Sequence, residues 1–148
     1  MDEAGEDTQG RALWGLGAVV PESPSGSLLM ISSRLFLHAL PAVVDFQYSR
    51  SIAYALVGIH CYLRRFNGDT EVRRIREHLA RRLMEKVRQH RGDDWIWCED
   101  AVTYANARLP HALLLSGRWI PDPEMVQAGL DCLRWLLESQ TGEEGQLS

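Results

Sequence analysis

Apolar residues recur at helical spacing along most of this chain, and that spacing strongly limits its fold. In the second such segment they lie three or four residues apart, at Leu28, Ile31, Leu35, Ala39 and Val43. Residues at this spacing share one face of an α-helix. No segment shows the strict apolar–polar alternation of a half-buried strand. The sequence therefore predicts an all-α protein.

Turn and capping residues divide the pattern into six predicted helices. Residues 2–10 carry four acids and two glycines, so we expect a loop there. A first helix is predicted over residues 11–20, with Asp7 or Thr8 as its N-cap. The proline- and glycine-containing run at residues 21–27 would end that helix.

The most apolar segment, residues 28–44, is predicted to be a buried helix rather than a membrane span. Arg34, His38 and Pro41 interrupt it. It also falls short of the roughly 20 apolar residues that a span requires. Pro41 should kink or end this helix, because proline removes a backbone donor and clashes with the preceding turn.

Clear end signals bound three of the later helices. The third is expected to start at Ser49 and to close at Asn67-Gly68. The fourth is expected to run from near Asp69 to about Gln89. Asp122-Pro123 predicts the start of the sixth, whose apolar stripe is Val126, Leu130, Leu133 and Leu137.

The arginine-rich fourth helix allows two interpretations. Residues 64–91 hold ten of the sixteen Lys and Arg residues and four acids. A nucleic-acid patch is one interpretation. A solvated outer face is favoured, because the apolar stripe is intact, Glu77 can pair with Arg81, and no aromatic residues interleave the arginines. The net charge of −4 gives no further reason to expect nucleic acid.

The first, third and fifth helices share a pattern of small residues. It reads ALWGLG at 12–17, AYALVG at 53–58 and HALLLSG at 111–117, with glycines 41 and 59 residues apart. Small residues let helices approach closely, so we expect these three to be inner helices and the others to form an outer layer. Three α/α helical hairpins in a solenoid or toroid are therefore predicted.

The stretch 93–119 concentrates the polar and aromatic chemistry. A continuous helix would place one set of side chains on a single face, namely Trp97, Asp100, Tyr104, Arg108 and His111. Pro110 disfavours that geometry. The favoured alternative is a loop over 95–104 followed by a helix that begins near Asn106 or at Pro110. Either way, the polar groups would lie at the N-terminal mouth of an inner helix.

Aromatic rings beside carboxylates and an arginine suit sugar recognition, because a sugar offers a C–H face for stacking and hydroxyls for hydrogen bonds. Hydrolysis would need two carboxyl groups flanking the bond. Glu99 or Asp100 could supply one, and Glu6 or Asp7 the other. Packing of the tryptophans in the core and pairing of Arg108 with an acid are the structural alternatives.

The central stretch resembles a family pattern, W-x-W-F-E-D-x-L-T-Y-D-N-A-R-L-P-x-A-L-L-x-A-G, in the residues WIWCEDAVTYANARLPHALLLSG. This pattern is found in bacterial helical domains associated with group 1 glycosyltransferases. EDTQGRALWGLG and SRSIAYALVGIHCYLRRF also resemble this family, so the likeness covers nearly the whole chain. It implies an (α/α)6 six-hairpin toroid and carbohydrate processing. Cys98 and Ala105 depart from the pattern, which has Phe and Asp there.

Two hypotheses follow for the chain, which we treat as a single domain, residues 1–148. In the first it is about half of an (α/α)6 toroid-like domain, a fragment of a longer one, that binds or processes a saccharide. Its catalytic candidates are Asp100, Glu99 and Asp7, and its substrate-binding candidates are Trp97, Tyr104, Asn106, Arg108, Arg11 and Trp14. In the second it is a non-catalytic helical-repeat module that binds a protein.

Several expectations hold under both hypotheses. An unclosed ring exposes an apolar edge, so we expect pairing with a second copy or with the missing half of the toroid. The three widely spaced cysteines indicate reduced thiols in a cytoplasmic protein. No metal-binding or cofactor-binding motif is present, and a nucleophilic role for Cys98 is disfavoured because nothing orients His111. We expect no membrane contact.

Overall fold

The computed structural model describes residues 1–141. This part of the chain is all-helical, as predicted, with six α-helices and one short 3₁₀ helix. The helices are α1 (Glu3–Glu22), α2 (Gly26–Ala39), the 3₁₀ helix (Leu40–Val43), α3 (Ser49–Arg65), α4 (Thr70–His90), α5 (Arg108–Trp119) and α6 (Pro123–Gln140). The last seven residues of the polar tail lie outside the described part.

The helices pack as three successive hairpins around α3. α1 packs on α3 and α3 on α5, while α2, α4 and α6 each pack on the helix that precedes them. Thirteen of the seventeen residues of α3 are buried, which makes it the central helix. A helix buried on nearly all sides needs apolar or small residues all around, and the run IAYALVGI at 52–59 provides them.

Glycines bring α1 and α3 into backbone contact. A Cβ built on Gly17 would lie 2.2 Å from the carbonyl oxygen of Gly58, and one on Gly10 would lie 2.9 Å from that of Ser51. The partners advance by the same seven residues on both helices, so α1 and α3 run in the same direction. The predicted close approach is confirmed for this pair.

Gly117, the third glycine of the predicted repeat, has a different neighbour. A Cβ there would lie 2.8 Å from the backbone nitrogen of Val126. Gly117 therefore makes room for the first turns of α6, inside its own hairpin. Of these three glycines, only Gly17 and Gly58 lie at a contact between two inner helices.

The predicted loop at residues 2–10 is wrong, because α1 already begins at Glu3. Asp2 is the N-cap, and its side chain accepts a hydrogen bond of 2.9 Å from the Gly5 nitrogen. Glu3 and Glu6 lie in the first turn, where negative charge interacts favourably with the helix dipole. The acids and glycines that suggested a loop thus serve as a cap, a charged first turn and a packing face.

The prediction that the second helix is buried is also wrong. Only 22% of the apolar window Gly26–Val43 is buried, and the predicted stripe residues Leu28, Ile31 and Leu35 are exposed. α2 contacts α1 and the 3₁₀ helix, so one face, with Phe36, meets the core. This window is long and apolar enough to cross a membrane, but length and composition alone are weak evidence for a membrane-spanning helix. Pro41 lies in the 3₁₀ helix that follows α2, as predicted.

The ends of α6 agree with the prediction, but its buried face is rotated. Asp122 caps the helix and Pro123 is its first residue. The residues turned to the core are Met125, Ala128, Gly129, Cys132 and Leu136, whereas the predicted Leu130 and Leu137 are exposed. A Cβ on Gly129 would lie 2.9 Å from the Leu114 side chain, so the small residues mark the tight contact with α5.

The α1–α3 contact predicts opposite effects for two glycines of the same helix. Gly17→Ala should lower the free energy of unfolding by at least about 2 kcal/mol, because the methyl group overlaps a backbone carbonyl that only a shift of α3 can relieve. Gly15→Ala is the control: nothing lies within 4 Å of its Cβ position, and alanine should add about 1 kcal/mol. Urea unfolding measures both. Equal changes would contradict the close packing.

Candidate functional site

Arginine and aromatic side chains meet where α1, α3 and α5 adjoin the loop before α5. We call this group the arginine–aromatic cluster. Its members are Arg11 and Trp14 of α1, Arg50 and Tyr54 of α3, Tyr104 of the loop, and Arg108 of α5. Four of these six residues are predicted by the sequence to bind substrate, and the structure brings those four together.

Guanidinium groups lie over the aromatic rings of the cluster. The central carbon of Arg108 is 4.2 Å from the Trp14 ring centroid, and that of Arg50 is 4.5 Å from the Tyr104 centroid. The Trp14 and Tyr54 rings stack at 5.7 Å. Cation–π contacts of this kind fix each guanidinium in a plane and leave its N–H edges accessible to other partners.

Arg50 is buried and ties the loop to α3. Its side chain forms an ion pair with Glu99 and donates hydrogen bonds of 3.4 Å to the Asn106 side-chain oxygen. The same oxygen accepts a hydrogen bond of 3.2 Å from the Thr103 backbone nitrogen. A buried guanidinium needs such partners, because an unpaired buried charge is strongly destabilising. Glu99 and Asn106 therefore stabilise the loop conformation in addition to lying next to the cluster.

Glu99 is a carboxyl group in a partly dehydrated position. Burial raises its pKa above the usual glutamate value, while the adjacent Arg50 favours the ionised form and opposes the rise. Trp95 covers this position and donates a hydrogen bond of 2.9 Å from its indole nitrogen to the Glu99 carbonyl oxygen. A raised pKa is what a general acid requires, although the ion pair limits proton donation.

Of Glu6 and Asp7, the two candidates for the second carboxylate, only Asp7 contacts the cluster. Its carboxylate lies 2.9 Å from the Nε of Arg11, and its second oxygen is buried without a hydrogen-bond partner in the part of the chain described. Glu6 instead accepts hydrogen bonds from the backbone nitrogens of Gln47 and Tyr48, at 2.8 and 3.1 Å. Glu6 thus anchors the segment that leads into α3.

Two predicted site residues lie elsewhere. The Asp100 side chain is 97% exposed and sits 3.5 Å from His90 of α4, outside the cluster. Trp97 is completely buried and stacks on Trp135 of α6 at 5.8 Å, so it cannot offer a ring face to a ligand. Both tryptophans of the loop, Trp95 and Trp97, contact the Trp135 ring of α6. For Trp97 the alternative of core packing is the one observed.

Sequence reasoning missed Arg50 and Tyr54. Both belong to α3, which the apolar pattern presents as a core helix. Arg50 was detectable, because it is the only Lys, Arg, Asp or Glu among residues 49–63, and a charge in a fully buried helix needs a specific partner. Tyr54 carried no signal, since tyrosine is common in cores.

A groove of about 610 Å³ borders the cluster. It is lined by the loop residues Tyr104 and Asn106, by Arg108 and His111 of α5, and by the end of α6. Tyr104 is 45% exposed. Arg108 contacts the rings of Trp14 and Tyr54 and has no hydrogen-bonded acceptor or ion-pair partner within residues 1–141. The N–H donors of the Arg108 guanidinium, which Trp14 holds in place, thus border the open groove.

The described residues show neither a reactive cysteine near the cluster nor a group of metal-binding side chains. Cys98 is completely buried, and burial raises the pKa of its thiol well above the usual value, which opposes a nucleophilic role. All three cysteines are unpaired. Among residues 1–141, no three His, Cys, Asp or Glu side chains are grouped closely enough to hold a metal ion.

Comparison with known proteins gives no match: no protein-family model, curated protein or solved structure is significantly similar to this chain.

Ala105 adopts a backbone conformation that alanine disfavours. Its φ is 48°, in the left-handed region that glycine, asparagine and aspartate tolerate better. We expect Ala105→Gly to raise the free energy of unfolding by about 1 kcal/mol. Ala107→Gly, at an ordinary φ of −60°, should instead lower it by up to about 1 kcal/mol. Thermal or urea unfolding distinguishes the two, and a destabilised Ala105→Gly protein would contradict this loop conformation.

Proposed function

We propose that this chain is a carbohydrate-associated domain of the α/α-toroid type, and that it binds a saccharide at the arginine–aromatic cluster. In this proposal the three hairpins correspond to about half of a six-hairpin ring. The observation that carries the proposal is Arg108, held over Trp14 with no protein acceptor in residues 1–141 and bordering a groove.

The chemistry of the groove fits a polyhydroxylated ligand. Hydroxyl oxygens can accept from the N–H groups of Arg108 and from the Asn106 amide nitrogen, whereas the Asn106 side-chain oxygen already accepts from Arg50 and Thr103. The half-exposed Tyr104 ring offers apolar surface to a sugar C–H face. An apolar ligand would leave the arginine donors unsatisfied.

Two carboxyl groups adjoin the cluster, Asp7 through its ion pair with Arg11 and Glu99 through its ion pair with Arg50, and neither lines the groove itself. Glu99 has the raised pKa and is the candidate acid, and Asp7 is the candidate second carboxylate. Glycoside hydrolysis would require the two on either side of the bond. Asp100 lies outside the cluster and lines a separate groove together with Glu99. Transfer from a nucleotide sugar would need a binding domain beyond this chain.

A second candidate function is a non-catalytic helical-repeat module that binds a protein. It is favoured by the outer face of α2, where five large apolar side chains are exposed: Leu28, Met30, Ile31, Leu35 and Leu37. Several exposed large apolar residues on one helix are typical of interfaces, and here Arg34 and His38 lie among them. Under either candidate we propose that this face pairs with a second copy or with the other half of a ring, in the cytoplasm.

Calorimetry with a panel of neutral and acidic oligosaccharides tests the proposed function. We expect the native chain to bind at least one member, and Arg108→Gln to weaken that binding at least tenfold, because about 1.4 kcal/mol of charge-assisted hydrogen bonding is lost. Arg118→Gln is the matched control, since Arg118 is an exposed arginine at the far end of the same helix.

Asp100→Ala adds a second comparison, because the structure places that carboxylate outside the cluster. Its affinity should equal that of the native chain. Saccharide binding that survives Arg108→Gln would refute the proposal. Absence of binding heat with every oligosaccharide would also refute it. In that case, concentration-dependent self-association of the chain would favour the interaction module.

A further inference from the structure

A second cavity, of about 340 Å³, lies at the other end of α3. α3 contributes His60 and Arg64, α4 contributes Arg73 and Arg76, and α5 contributes Trp119. Ten residues of α3 separate His60 from Arg50, which is roughly 15 Å at 1.5 Å per residue. This cavity is therefore distinct from the arginine–aromatic cluster.

Arg76 is the unusual residue of this cavity. It is 6% exposed, and its Nε is buried without a hydrogen-bond partner in residues 1–141. Arginine cannot lose its charge under ordinary conditions, so it requires a negative partner when it is buried. Burial and the neighbouring Arg73 both lower its pKa, and Glu77 is the one acid that opposes them.

No carboxylate lines the cavity to neutralise this charge. The side chains around it are His60, Leu63, Arg64, Asn67, Arg73, Arg76 and Trp119, with Gly68. Glu77 on α4 forms an ion pair with Arg81. Three guanidinium groups therefore face one space that no carboxylate of residues 1–141 lines, while Glu77 lines the adjoining groove together with Arg73 and Arg76.

His60 reports the resulting positive potential. Burial is the largest cause, and together with the charges of Arg76 and Arg64 it lowers the pKa of the His60 imidazole to about 4. The ring lies 5.8 Å from that of Trp119, which is 53% exposed. The cavity thus has a cationic side and an aromatic wall.

We propose that this cavity binds a phosphate ester. The phosphate would lie between Arg64, Arg73 and Arg76, and the organic group would lie against Trp119. Several guanidinium forks suit the oxygens of a tetrahedral dianion. The volume exceeds what inorganic phosphate fills and is in the range of small-molecule sites.

The buried charge supports a functional interpretation of Arg76. Without an anion, the buried Nε of Arg76 lacks an acceptor at a cost in stability, whereas a bound phosphate supplies that acceptor. Groups kept at a cost in stability are typical of binding sites. This cavity and the groove beside the arginine–aromatic cluster share no lining residue, so binding at one does not depend on binding at the other.

Calorimetry on the full chain tests the proposal with three probes: glucose 6-phosphate, inorganic phosphate and glucose. We expect glucose 6-phosphate to bind more tightly than inorganic phosphate, and glucose not to bind at this cavity. Arg64→Gln should weaken glucose 6-phosphate binding at least tenfold. Arg65→Gln is the matched control, because Arg65 is the adjacent exposed arginine and does not line the cavity.

Arg76→Met adds a readout that separates a binding role from a structural one. It should abolish phosphate-ester binding and leave the unfolding midpoint equal to or higher than that of the native chain, because an uncompensated buried charge is removed. A marked loss of stability would instead assign Arg76 a structural role. Arg64→Gln, at an exposed position, tests binding independently of folding.

The His60 resonances provide a direct local measurement. Saturation with glucose 6-phosphate should raise the His60 pKa from about 4, because a nearby anion favours the imidazolium form. An unchanged His60 pKa, absence of phosphate-ester binding, or equal affinity in the native chain and Arg64→Gln would overturn the proposal. Tighter binding of a single-stranded oligonucleotide than of either phosphate probe would also overturn it.

Discussion

The ion pair between Arg50 and Glu99 joins the central helix to the one long loop among residues 1–141, and the site is built around it. Arg50 is 1% exposed, so its charge is stabilised only by the partners the loop provides. Those partners, Glu99 and Asn106, fix the loop so that Tyr104 covers the guanidinium at 4.5 Å. One buried cation thus determines where the aromatic and polar side chains of the loop lie.

The inner helices supply the rest of the site because they can approach so closely. The contact between Gly17 and Gly58 sets α1 directly against α3. It brings Arg11 and Trp14 beside Tyr54, and Arg108 of α5 completes the group. The same central helix ends beside the second cavity, where the Nε of Arg76 has no hydrogen-bond partner among residues 1–141. The two buried arginines thus differ: Arg50 has an ion-pair partner in the described part of the chain, and Arg76 lines a proposed ligand site.

Much of the fold was predictable from sequence, and the errors have physical causes. Helix ends with strong chemistry, such as Asp122-Pro123, agree with the structure because local capping decides them. The predicted buried faces of α2 and α6 were wrong, because the hydrophobicity of a helix does not show which of its sides packs against another helix. In α6 the small residues Ala128 and Gly129 mark the contact, and the larger leucines lie outside it. For the site, residue type identified Arg108 and Tyr104, but only the three-dimensional packing separates exposed Asp100 and buried Trp97 from the cluster.

Hydrogen–deuterium exchange of the loop in Arg50→Lys tests most directly whether Arg50 organises the site. Lysine keeps the charge but lacks the planar fork that reaches both Glu99 and Asn106. Amides of residues 99–106, including Thr103, whose N–H bonds to Asn106, should exchange at least about tenfold faster than in the native chain. Amides of α4 should keep their protection. Unchanged exchange in the loop would contradict the claim that the buried arginine holds it in place.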